Sequence, residues 1–174
     1  RKRIRFPCCA RPTVSSLLFA LAFAVFGDAP YSNAQVGVLQ RMIDRINAEP
    51  LAFAVHIGDI TSGQGPCDDE WILARKKQFA RIRHPFVLLP GDNEWTDCHK
   101  SRQLSSGDPL KELASVRDLF FPEVGYTLGE RKKRVLSQAE NYDPHFPADA
   151  QFIENVIWEE SEVLFVTINL PGSN

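Results

Sequence analysis

The chain has 174 residues, with 20 Lys and Arg against 22 Asp and Glu for a net charge of −2, and 44% of its residues are hydrophobic. A chain of this length and apolar content buries a full core without disulfides or structural metal, which argues against disorder. A sequence pI of 6.1 lacks the footprint of a nucleic-acid binder, typically a domain of pI above ~9 with clustered Lys and Arg.

Residues Arg1 to Arg5 read RKRIR, and Val14 to Phe26 form an almost unbroken apolar run. The layout resembles a secretory signal peptide, in which a basic start and ~7–15 apolar residues precede a small-residue cleavage site, here Ala20-Leu21-Ala22. The run is shorter than the roughly 20 apolar residues of a membrane span, so no stable span is expected. Residues 1–22 are therefore expected to be a leader and 23–174 the folded domain. The expected location is periplasmic or secreted, with cytoplasmic as the alternative. Leu18 to Phe26 reads equally as a first buried strand, because a parallel strand covered on both faces is also continuously apolar.

Cys8 and Cys9 fall inside the leader. Cys67 and Cys98 follow strand ends and either bridge in an oxidising compartment or remain two thiols. No cysteine or histidine spacing suits a zinc ribbon or finger.

Gly27-Asp28-Ala29-Pro30 closes the first apolar run. Leu39, Met42, Ile43 and Ile46 then follow the spacing of an amphipathic helix, with Ser32 or Asn33 as its cap and Pro50 as its stop. Leu51 to Ile57 reads as a second strand, closed by Gly58-Asp59. After a loop at Thr61 to Pro66, Asp68 or Asp69 caps a helix carrying Ile72, Phe79 and Ile82, and Pro85 breaks it. Phe86 to Leu89 is a third strand, closed by Pro90-Gly91-Asp92. This alternation predicts a parallel sheet with right-handed crossovers. Pro109 to Phe120 reads as a helix capped by Asp108. Gly129 to Arg134 reads as a solvated hairpin or loop, and Val163 to Ile168 as a further strand.

Three of the four Gly-Asp pairs thus stand directly after a predicted strand. The carboxyl ends of parallel strands share one edge, where ligands bind, so Asp28, Asp59 and Asp92 are expected to converge. Three crowded carboxylates stay partly protonated or gather around a cation. The fourth pair, Gly107-Asp108, is a turn and helix cap.

FGDAPYS at Phe26 to Ser32, HIGDITSG at His56 to Gly63 and PGDNEW at Pro90 to Trp95 resemble the first three motifs of the calcineurin-like metallophosphoesterases. The resemblance implies an α/β sandwich of two mixed sheets flanked by helices. It also implies a dinuclear site that hydrolyses phosphate esters of small molecules. Asp28 would ligate the first metal, Asp59 bridge both and Asp92 ligate the second. Asn93 stands where the family keeps a catalytic histidine, followed by the acidic Glu94; these two are the catalytic candidates. Asn93 can donate a hydrogen bond to a phosphoryl oxygen but cannot protonate a leaving group.

Pro30 likewise replaces a first-motif histidine. Two histidine-bearing motifs of the family fall beyond Asn174, so the chain is expected to be the N-terminal part of the domain, inactive alone. Hard carboxylate ligands suit Mn, Mg or Fe, with Zn as a further candidate. The alternatives are a non-catalytic metal- or ligand-binding relative of the same fold and a phosphate-accepting receiver domain.

Among the histidines, His56 is expected to serve the core or its polar network, His99 a surface loop and His84 a helix end, while His145 carries no signal. Trp71, Trp95 and Trp158 are packing candidates, with Trp95 placed to wall a pocket.

Overall fold

The computed structural model describes residues 21–99 and 108–170. The basic start, Cys8, Cys9, nearly all of the expected leader and Gly107 lie outside the described residues. In chain order the elements are β1 (Ala24–Phe26), α1 (Asn33–Ala48), β2 (Ala54–His56), α2 (Asp69–Phe79), β3 (Phe86–Leu88), α3 (Pro109–Phe120), β4 (Leu136–Ser137), β5 (Val156–Glu160) and β6 (Val163–Val166), with a short 3-10 turn at Thr96–His99. They make a small α/β domain of two three-stranded sheets and three helices.

The first sheet has the order β1-β2-β3 and is parallel, with Val25 beside Val55 and Val55 beside Val87. Alternation along its strands divides the core, because successive strand side chains point to opposite faces. Ala54, Phe86 and Leu88 face a cluster built by Leu39, Ile43 and Ile46 of α1, Ile72 and Phe79 of α2, and Val116 and Phe120 of α3. Val55 and Val87 face the other way, onto Val135, Val156 and Trp158. Helices cover one face of the parallel sheet, and the second sheet covers the other.

The second sheet, β4-β5-β6, is antiparallel. Mixed sheets were the expectation, yet the named strands of one sheet pair only in parallel and those of the other only antiparallel. The connections explain this: helical crossovers keep β1 to β3 parallel, whereas β5 turns into β6 through two residues, Ser161 and Glu162, both at positive φ. That is the signature of a type I′ hairpin, whose twist matches the strands it joins. Outside the named strands, Phe86 makes an antiparallel bridge to Leu128, and Tyr126 makes one to Arg134. The segment read as a solvated hairpin or loop is thus a hairpin arm linking the two sheets.

β1 is less covered than a doubly buried strand: Val25 is 55% exposed, since the antiparallel sheet lies over β2 and β3. Asp68 caps α2 by accepting from the Trp71 N–H at 2.8 Å, and Asp108 caps α3 through Leu110 N–H at 2.9 Å. Ser32 is the N-cap of α1 without a side-chain bond; Gln35 instead reaches back to accept from the Tyr31 N–H. A buried Arg117–Glu154 pair, bonded at 2.7 and 2.9 Å, ties α3 to the entry of β5. No helix among the described residues is long and apolar enough to cross a membrane.

Candidate metal centre at the carboxyl edge of the parallel sheet

The sheet order brings the turns after β1, β2 and β3 side by side. Asp28 has φ 54° and Asp59 φ 62°, a left-handed conformation that costs a non-glycine residue about 1–2 kcal/mol and that recurs at functional sites. The glycines permit close approach. A Cβ on Gly58 would lie 2.5 Å from the Gly91 nitrogen, and one on Gly91 would lie 2.0 Å from Asp59 Oδ1. The second and third turns therefore touch backbone to backbone.

The carboxylates meet in two pairs that share Asp59. The Tyr31 hydroxyl donates to Asp28 Oδ1 at 2.7 Å and lies 3.3 Å from Asp59 Oδ2, so one phenol spans the first pair. Asp59 and Asp92 face each other within hydrogen-bonding reach. Burial, with the neighbouring Asp92 and Asp28 charges, pushes the Asp59 carboxyl up to about 6, although the Asn93 N–H on Asp59 Oδ1 opposes the shift. Burial, followed by the bond to Asp28, likewise raises the Tyr31 phenol. An open groove of about 380 Å³ adjoins Asp28, walled by Phe26, Val38 and Met42.

Glu94 is buried beneath the second and third turns. One carboxylate oxygen accepts from Gly91 N–H at 2.7 Å and Asp59 N–H at 3.2 Å, and the other accepts from Ile60 N–H at 3.3 Å. Burial pushes its carboxyl up to about 8 against the pull of these donors. Asn93 directs its side-chain amide to the Thr61 carbonyl at 3.0 Å, below the 61–66 loop. Cys67 and Cys98 form a disulfide, and its sulfurs rest 3.5 and 3.8 Å from the Asn93 carbonyl oxygen.

His56 is fully buried. Its Nδ1 accepts from the Gly58 N–H at 3.1 Å and its Nε2 lies 3.3 Å from the Ala29 carbonyl. The Gly58 bond fixes the Nε2–H tautomer. Burial lowers its pKa to about 4, so the ring is neutral at physiological pH. His84 is buried with Nε2 3.0 Å from the Ile46 carbonyl, at the end of α1. His99 is exposed on its loop, with Nδ1 against the Thr96 carbonyl, and His145 is exposed beside Asp143. Trp71 bonds the Ile60 carbonyl at 2.9 Å, and Trp158 is buried between the sheets.

The predicted aspartates are thus brought together, and Tyr31 and His56 join them. Tyr31 carried a legible signal, standing three residues after Asp28 in the same turn. Among the described residues no three His, Cys, Asp or Glu side chains are gathered as a ready ligand set; two acidic pairs around Asp59 are what the fold builds. Their donor chemistry, carboxylate oxygens, fits a hard divalent cation, with the protonated Tyr31 phenol bridging the first pair from the side. Comparison of the chain with protein families, with curated proteins and with solved structures found no match.

Proposed function

We propose that this chain carries the carboxylate part of a metal-dependent phosphoesterase site, acting on phosphate esters of small molecules. The observation that supports it is the meeting of three Gly-Asp turns at adjacent carboxyl ends of one parallel sheet, with Asp59 shared between two acidic pairs. Asp28 and Asp59 would hold one divalent ion, and Asp59 and Asp92 a second. When bound, such a pair of ions lowers the pKa of a water and neutralises phosphoryl charge.

The chain's own groups orient this site. Tyr31 holds Asp28 and Asp59 in register, and the Asn93 N–H aims Asp59 Oδ1. The Asn93 side chain is committed to Thr61 and carries no proton for a leaving oxygen, so aryl esters and other substrates with good leaving groups are the expected class. That same commitment favours a second reading, a domain that binds metal without catalysis.

Hydrolysis of an aryl phosphate diester with Mn²⁺, measured alongside metal uptake, separates the two readings. The hydrolase gives Mn-dependent turnover that Asp59→Ala abolishes. Metal uptake without turnover selects the binding domain, and no metal uptake sinks both.

A further inference from the structure

Two buried side chains tie the three turns together in sequence. His56 joins the first to the second: its Nδ1 accepts from Gly58 in one turn, and its Nε2–H faces the carbonyl of Ala29 in the other. Glu94 joins the second to the third, with Asp59 and Gly91 sharing Oε1 and Ile60 on Oε2. The pairing of β2, which bears His56, does not require such bonds, and Glu94 lies in the turn beyond β3, outside the named strands. The four N–H groups involved belong to loop backbone, and each would otherwise be an orphaned donor near the floor of the site. The bonded atoms immediately adjoin the aspartates: Ala29 follows Asp28, Gly58 precedes Asp59, and Gly91 precedes Asp92.

We infer that His56 and Glu94 are positioning residues that set the spacing of Asp28, Asp59 and Asp92. They hold the turn backbones from beneath and do not touch the bound group. The inference rests on the reading of these aspartates as metal ligands. Glu94 therefore acts through Asp59 and Asp92, as partners behind metal ligands generally do, and their loss typically weakens metal affinity ~10–100-fold.

Mn²⁺ affinity, read by calorimetry or by loss of the free-ion EPR signal, tests this in the wild type, Glu94→Gln, His56→Phe and an Arg117→Met control. Glu94→Gln and His56→Phe are each expected to weaken binding by about tenfold or more. Arg117→Met breaks the remote buried pair with Glu154 and lowers stability, yet is expected to leave affinity within about twofold, as independent sites do. Unchanged affinity in both turn variants, with the wild type binding, overturns the inference.

Amide hydrogen exchange on the wild-type protein supplies an arm free of metal and of variant folding. Gly58, Asp59, Ile60 and Gly91 are expected to be protected although they lie in loops, and rapid exchange at these amides overturns the inference. A wild type that binds no Mn²⁺ but protects these amides retains the tie between turns and removes the ligand reading beneath it, which overturns the inference about metal spacing.

Discussion

Asp59 is the residue on which the site turns. Burial, reinforced by the charges of Asp92 on one side and Asp28 on the other, raises its carboxyl to about 6. Below that pH the proton removes the Asp59 charge; above it the carboxylate is free to hold a cation. A metal ion competes with that proton, so Mn²⁺ affinity is expected to rise by up to about tenfold per pH unit below 6 and to level off above it. A flat profile between pH 5 and 7 contradicts this. His56 has the opposite sign of interest. The unfolded ring protonates near ~6.5, whereas the folded ring resists until about 4, so its contribution to stability is present above the first value and lost as pH falls to the second. The full loss is about 3 kcal/mol. Glu94 and Asp59, raised rather than lowered, oppose it over part of that window, so the ring itself is the cleaner reporter. Its nitrogen shifts are expected to be those of a neutral Nε2–H tautomer at pH 5; a protonated ring there contradicts the buried assignment.

At the scale of elements, the helices and the parallel strands follow from local chemistry. The caps are explicit in the residues, and Asp68→Ala is expected to cost about 1 kcal/mol in urea unfolding, because α2 then loses the acceptor of its Trp71 N–H. An effect below a few tenths would mean the cap is satisfied otherwise. The β-α alternation was readable because Pro50, Pro85 and the Gly-Asp pairs punctuate it. β5 was not readable. It ends in Glu159 and Glu160, and its hairpin turn is Ser161-Glu162, which adopts positive φ without the Asn-Gly or Asp-Gly pair that normally announces it. That Asp28, Asp59 and Asp92 share one sheet edge was legible from spacing, since it needs only strand ends on one side; that they meet there as two pairs around Asp59 was not. The tasks of Asn93 and Glu94 were not, because both depend on how closely the turn glycines approach, which only the folded backbone reveals. Glu94 reads as a reacting acid in sequence and lies among backbone donors in the structure.

For the molecule as a whole, the helices, parallel sheet and antiparallel sheet form three layers, and the metal-centre candidates sit at one end of the middle layer. The Cys67–Cys98 bridge staples the loop after β2 to the loop after β3, closing 31 residues of sequence. Constraint of the unfolded chain by such a loop is worth about 4 kcal/mol, so Cys67→Ser with Cys98→Ser is expected to lower stability by up to that amount. The same pair of substitutions should loosen the Asn93 backbone that aims Asp59. Denaturant unfolding with and without reductant checks the first point, and equal stability in both conditions contradicts it.

The account stands on Asp59 serving both halves of the acidic site. The most direct measurement is the number of Mn²⁺ ions bound per chain, by calorimetric titration of the wild type and of Asp59→Ala at pH 7. The wild type is expected to take up two ions and the variant to hold neither tightly, because removal of a shared ligand weakens both positions. Retention of two tightly bound ions by Asp59→Ala would contradict the shared-ligand assignment.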